Sequence, residues 1–120
     1  MHILIVLRII WGIALALVFW KACVPDPEHV FHIINDKLAH FLIFLFLGIL
    51  GMIAWNGSAA RYPVITFLAI YGAVIEVVQY FVDQRSMSLG DWIMDLLGLI
   101  SALLVIKLVL HYREISATPN

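Results

Sequence analysis

Residues 38–55 read LAHFLIFLFLGILGMIAW, and this run sets the class of the protein. His40 is the only ionisable side chain in it. A helix that crosses a membrane needs about 20 consecutive, mostly apolar residues, because the hydrocarbon core is roughly 30 Å thick. The run is close to that length, so we predict a transmembrane helix over residues 38–55.

Three more windows have similar length and composition, namely 3–20, 63–82 and 92–110. Of the 120 residues, 64% are hydrophobic and 12% are charged, and the mean hydropathy is +1.05. This apolar content exceeds what a soluble domain can bury. We therefore predict an all-α integral membrane bundle of four transmembrane helices. It forms a single domain over residues 1–120, with 111–120 as a short polar tail.

The first window carries two further expectations. It lacks a small-residue cleavage pattern at its end, so we expect it to stay in the protein as a helix. Gly12 and Ala16 offer it a short surface on which another helix could pack closely. A four-helix bundle of this size buries little interior per helix, so homodimerisation is also open.

Cations near the helix ends predict the orientation, because cytoplasmic loops carry an excess of lysine and arginine. The cations on the side of the termini are Arg8, Arg61, Lys107 and Arg113, and those on the opposite side are Lys21, Lys37 and Arg85. Lys37 and Arg85 lie within acidic patches that could hold them in place. Discounting both favours cytoplasmic termini in the cell membrane. The net charge of −1 and the lack of a basic patch argue against nucleic-acid binding.

Polar residues concentrate at the helix ends predicted to face outward. They are Asp36, Lys37, His40, Glu76, Gln79, Asp83, Gln84, Arg85, Asp91 and Asp95. Steps of three and four residues align them on one stripe per helix, as in Asp91, Asp95 and Gly98. Such stripes turn away from lipid, so the acids should converge in a funnel. At about 1.5 Å per residue, the Glu76 backbone lies roughly 9 Å below the border and floors the funnel.

The funnel carries an excess of acidic groups. Five acids minus two bases leaves three negative charges if every carboxyl ionises. Protons shared among the carboxyl groups, a bound cation or a cationic ligand group could offset them, and we favour shared protons. A divalent metal held by Glu76, Asp91 and Asp95, with His40, is geometrically open. Acidic pairs at helical spacing are common without metal, so no cofactor or firm metal site is predicted.

The ordered motifs resemble the VanZ-like family of small bacterial membrane proteins, over residues 35–102. They comprise Asp36-Lys37 with His40, Glu76-x-x-Gln79, Arg85, Asp91 and Gly98. The resemblance implies a compact helical bundle in the bacterial inner membrane. It also implies a link to antibiotic resistance, since the family is named for a protein associated with low-level teicoplanin resistance. Asp95 stands where the family more often has asparagine.

Several of these residues also have structural interpretations. Ser88 could cap the fourth helix, with Asp91 completing a capping box. Asn35 or Asp36 could cap the second helix in the same way. A pair of Glu76 with Arg85 or Lys37 could fix helix packing, and Gln79 could donate between helices.

Two functional hypotheses remain open. In the first, the protein is a binding module whose funnel engages a cell-envelope lipid-linked component or an amphiphilic glycopeptide. Membrane lipids and lipid-linked cell-wall precursors are then its partners. In the second, it is an intramembrane enzyme acting on a lipid or lipid-linked substrate, with Glu76 or His40 as general base. No nucleophile stands beside a base, so we favour binding. The funnel residues could also form a purely structural intramembrane network.

Overall fold

The computed structural model describes residues 1–25 and 36–117. In this part of the chain four helices form: α1 (His2–Cys23), α2 (Asp36–Ala54), α3 (Ser58–Tyr80) and α4 (Leu89–Ala117). Each is long and apolar enough to cross a membrane. The prediction of an all-α bundle of four transmembrane helices is confirmed, and the protein is a multi-pass membrane protein.

Helix boundaries differ from the predicted windows mainly at α3 and α4. The helix α3 begins at Ser58, before the predicted start at residue 63, and includes Pro63. Pro63 lies in the second turn of α3, so it cannot donate the backbone hydrogen bond that the helix would otherwise make to Ala59. The helix α4 continues to Ala117 with exposed side chains, so residues 111–117 of the predicted tail are helical. Asn35, a candidate cap, lies outside the described residues.

The helices alternate in direction along the chain, so α2 and α4 run parallel to each other and antiparallel to α1 and α3. The starts of α2 and α4 therefore meet the ends of α1 and α3 at one end of the bundle. A side-chain contact from His40 on α2 to Asp95 on α4 and a bond from Ser88 to Glu76 on α3 lie at this end. Most of the predicted polar residues come together there.

The two parallel helices pack through small residues. A Cβ atom added to Gly98 of α4 would lie 2.5 Å from the Phe41 carbonyl oxygen and 2.9 Å from the Leu45 nitrogen of α2. One Cβ added to Gly48 would lie 2.8 Å from the Ala102 Cβ. Small residues let helix backbones approach closely in lipid, where apolar surface gives no preference for protein over acyl chains.

Polar and aromatic side chains attach α1 to the bundle. Trp11 Nε1 donates to the Leu47 carbonyl oxygen of α2 at 3.0 Å. The Tyr71 hydroxyl of α3 donates to the Leu15 carbonyl oxygen of α1 at 2.6 Å. Gly12, by contrast, is exposed, and no atom lies within 4 Å of an added Cβ in the described structure. The expected contact through Gly12 and Ala16 is wrong within one chain, because these anchors turn a different face of α1 inward and leave Gly12 and Ala16 exposed.

The interior of the bundle is small and mixed in character. Among the described residues, its largest fully buried side chains are Phe44, Leu47, Leu68, Leu99, Glu76 and Asp95. Large apolar residues also cover the outside, as expected where lipid is the solvent. The bundle therefore shields the polar side chains of Glu76 and Asp95 from lipid within an otherwise apolar core.

Gly98→Ala should destabilise the bundle by about 1–3 kcal/mol, because the added methyl group meets backbone atoms that cannot rotate away. The free energy of unfolding is measured by SDS titration of the protein in mixed micelles. Gly12→Ala is the matched control and should leave stability unchanged or slightly raised. Equal stabilities of the two variants would contradict the close approach of α2 and α4.

Candidate polar site

Five of the predicted residues meet at one end of the bundle, and we call this group the polar site. Its members are Lys37 and His40 of α2, Glu76 of α3, and Asp91 and Asp95 of α4. Asp36, the exposed first residue of α2, borders it, since ligand atoms of Asp36, His40 and Asp91 lie within 4.8 Å of one another. The periodic stripes placed these residues on the correct faces of their helices.

The outer part of the polar site is an ion pair between α2 and α4. Lys37 Nζ lies 3.0 Å from Asp91 Oδ1, and 53% of the lysine side chain is exposed against 9% for the aspartate. The Asp91 backbone N–H is 3.3 Å from Ser88 Oγ, which supports the prediction that Ser88 caps α4. Asp91 thus stabilises the start of α4 and also holds Lys37.

The inner part joins the same two helices one turn deeper. His40 Nδ1 is 2.8 Å from Asp95 Oδ1, and His40 Nε2 is 3.9 Å from Asp91 Oδ2. The His40 side chain is 14% exposed, whereas the Asp95 side chain is completely buried at 0%. The imidazole therefore lies between two carboxylates that are one helical turn apart on α4. The contact to Asp95 fixes the orientation of the ring.

Glu76 approaches the polar site from α3 and is 2% exposed. Its Oε2 atom accepts a hydrogen bond from the Ser88 backbone N–H at 2.7 Å. This is the bond that the acid of a capping box makes to its own cap residue. Here Glu76, on another helix, accepts this bond in place of Asp91. The Asp91 carboxylate accepts a hydrogen bond from Lys37 instead. Sequence reasoning missed this contact, because no local pattern connects residue 76 with residue 88.

Two buried carboxylate oxygens, Glu76 Oε1 and Asp95 Oδ2, have no hydrogen-bond partner among the described residues. Asp95 Oδ2 points towards Gly72, where an added Cβ would lie only 2.8 Å away. Gly72 precedes Glu76 by one turn on the same face of α3. The glycine therefore leaves room for the Asp95 carboxylate beside Glu76.

Arg85 and Gln79 take other positions. Arg85 Nη2 donates to the Lys21 carbonyl oxygen at 3.1 Å, and its Nε donates to that of Val24 at 3.3 Å. These carbonyls belong to the end of α1, where helices leave backbone acceptors unsatisfied. Gln79 is buried on α3 one turn after Glu76, and Asp83 is exposed in the following loop. Pairing of Glu76 with Arg85 or Lys37 was the structural alternative, and the hydrogen bond described for Glu76 comes from Ser88.

The pair of Lys37 and Asp91 should couple α2 to α4. Lys37→Met leaves Asp91 buried without this partner, whereas Asp91→Asn removes the charge that attracts the lysine. A double-mutant cycle in detergent should return a coupling energy of about 0.5–3 kcal/mol. Lys107→Met with Asp91→Asn is the control cycle, since Lys107 lies at the opposite end and contacts Tyr62. A coupling no larger than in the control would contradict the ion pair.

Comparison with known proteins agrees with the motif-based resemblance. The chain is 33% identical over 85 residues to an uncharacterized protein, C11E3.10, of the fission yeast Schizosaccharomyces pombe. The aligned region is 68% of this chain and 52% of that protein, so the chain spans about half the length of this curated relative. No solved structure matches. The family described as VanZ/LLP1 matches residues 2–110, and the chain belongs to this family.

Proposed function

We propose that this protein binds the polar head of an amphiphilic component of the bacterial cell envelope at the polar site. The observation that carries the proposal is the fall in side-chain exposure from the rim inward. Along α2 the exposure falls from 53% at Lys37 to 14% at His40, and along α4 it falls from 9% at Asp91 to 0% at Asp95. Such a gradient is the form expected of a recess that opens at one membrane face and closes within the bundle.

The chemistry of the polar site suits a head group with both donors and acceptors. Lys37 offers an ammonium group at the rim, which can meet phosphate or carboxylate oxygens. Asp36, exposed beside it, can accept hydrogen bonds from hydroxyl or ammonium groups. The surrounding helix surfaces are apolar, so an attached acyl or prenyl chain can remain in lipid. Sugar-bearing lipid-linked cell-wall precursors and acylated glycopeptides both combine a polar head group with an attached apolar chain.

A catalytic role is the second candidate, and the contact of His40 with Asp95 favours it. A carboxylate that orients one ring nitrogen leaves the other available as a general base. In that case a lipid or lipid-linked substrate would be converted at the polar site rather than retained. Glu76 is less suited to this role, because Oε2 is engaged by Ser88 at the start of α4.

Protection against teicoplanin tests the binding proposal. A glycopeptide-sensitive bacterium expressing the wild type should survive a severalfold higher concentration of teicoplanin, with a smaller effect for the less amphiphilic vancomycin. Lys37→Met and Asp91→Asn should abolish the protection at matched membrane levels, because they remove the two charges at the rim. Asp83→Asn changes an exposed loop carboxylate and should retain it.

The same strains distinguish the two candidates. Membranes are incubated with radiolabelled envelope lipids, and bound label is compared with released product. Retained label that is lost in the rim variants supports binding. Product that accumulates with time in the wild type, and not in His40→Ala, would replace binding by catalysis. Absence of both protection and retention would contradict an envelope amphiphile as the ligand.

We also propose that the protein lies in the cytoplasmic membrane with both termini in the cytoplasm, so that the polar site faces outward. Discounting Lys37, which is held by Asp91, favours the side of the termini as the positive side. A fluorescent protein fused after Asn120 should therefore fluoresce, and alkaline phosphatase fused there should be inactive. Active phosphatase would reverse the orientation and direct the polar site to the cytoplasm.

A further inference from the structure

We infer that His40, Glu76 and Asp95 form a binding site for one divalent transition-metal ion. One potential ligand atom from each residue lies within 4.8 Å of the other two. The three residues come from α2, α3 and α4, respectively, so three helices would hold the ion between them. Metal binding does not depend on the amphiphile proposed above and can be tested without it.

The donor set suits such an ion. Zinc binds imidazole nitrogen at about 2.0–2.1 Å and carboxylate oxygen at about 2.0–2.2 Å. The three ligand atoms lie within 4.8 Å of one another, so small side-chain adjustments would bring all three to these distances from one ion. An imidazole with two carboxylates favours zinc, iron or manganese over magnesium and calcium, which prefer oxygen ligands alone. His40 would exchange its contact with Asp95 for a shared bond to the metal.

The unpartnered oxygens are an independent reason to expect a ligand. Glu76 and Asp95 are almost completely buried, yet Glu76 Oε1 and Asp95 Oδ2 accept no hydrogen bond from the described residues. A buried polar atom without a partner costs free energy, and a carboxylate costs more than a neutral group. The second oxygen of each carboxyl group already has a partner, which is Ser88 for Glu76 and His40 for Asp95. A metal ion there would satisfy both carboxylates at once.

The charge of the three ligand residues also favours a divalent ion. Two carboxylates and a neutral imidazole carry two negative charges, which a divalent ion balances. A proton shared between Glu76 and Asp95 would neutralise only one of them, and a second proton, on His40 or on a carboxyl group, would be needed for the other. Lys37 donates to Asp91 in the outer part of the polar site, and Ser88 engages only one oxygen of Glu76. Gly72 lacks the Cβ atom that would collide with Asp95 Oδ2.

The outer group of Asp36, His40 and Asp91 is a weaker candidate, although its ligand atoms also lie within 4.8 Å. Asp36 is exposed, so water can satisfy it, and Asp91 already holds Lys37. In the inner group, Glu76 and Asp95 are buried away from water. Three protein ligands are also the number found in catalytic zinc sites, which keep a further position open for water or another ligand.

Zinc titration of the full chain tests the inference. The protein is purified in detergent with an affinity tag free of histidine, stripped with EDTA and equilibrated with Zn²⁺, Mn²⁺ or Mg²⁺. Elemental analysis and calorimetry should give one tightly bound Zn²⁺ per chain, weaker Mn²⁺ and no Mg²⁺. Zinc should also raise the midpoint of thermal unfolding.

Two isosteric variants and one control assign the ion to these residues. Asp95→Asn and Glu76→Gln should each weaken Zn²⁺ binding by at least about tenfold, since even residues behind a metal ligand matter by 10- to 100-fold. Asp83→Asn is the matched control and should bind as the wild type does. Circular dichroism and gel filtration establish that each variant is folded.

Folded wild type without a tight Zn²⁺ or Mn²⁺ site would overturn the inference, whatever the variants do. So would Asp95→Asn binding Zn²⁺ as tightly as the wild type. If Glu76→Gln fails to fold because its bond to Ser88 is weakened, Asp95→Asn alone decides. Loss of zinc binding with unchanged teicoplanin protection would separate the metal site from the proposed function.

Discussion

The close approach of α2 and α4 at Gly98 is the constraint on which the rest of the structure depends. Backbone atoms of Phe41 and Leu45 occupy the space that any side chain at residue 98 would need. This contact fixes how far the parallel helices stand apart and which turns face each other. Lys37 is then opposite Asp91, and His40 is opposite Asp95, without any further adjustment.

Lipid explains why small and polar residues, rather than large apolar ones, direct this packing. Acyl chains solvate leucine as well as a protein interior does, so apolar contacts alone do not select one arrangement of helices. Hydrogen bonds from Trp11 to Leu47, from Tyr71 to Leu15 and from Ser88 to Glu76 do select one. The polar site therefore belongs to the packing of the bundle, since one Glu76 oxygen accepts from Ser88, while the other accepts no hydrogen bond from the described residues.

Much of the candidate site was predictable because its residues lie on regular helices. A period of three and four residues places Asp91, Asp95 and Gly98 on one face of α4, and all three are buried. The loop residues were harder to place. Arg85 follows α3 and bonds to the end of α1, far away in sequence, and Asp83 turns outward. No periodicity extends into a loop, so their partners depend on where neighbouring helices end.

The sequence by itself determined the class of the protein, the number of helices and the inward faces of α2, α3 and α4, because length, apolar content and helical period are local properties. The tertiary structure decided which of these residues meet. Ser88 bonds to Glu76 rather than to a capping-box acid, and two carboxylate oxygens remain beside His40 without a hydrogen bond from the described residues. These outcomes depend on distances between helices, and those distances follow from small residues such as Gly98 and Gly72 only when the backbones are placed together.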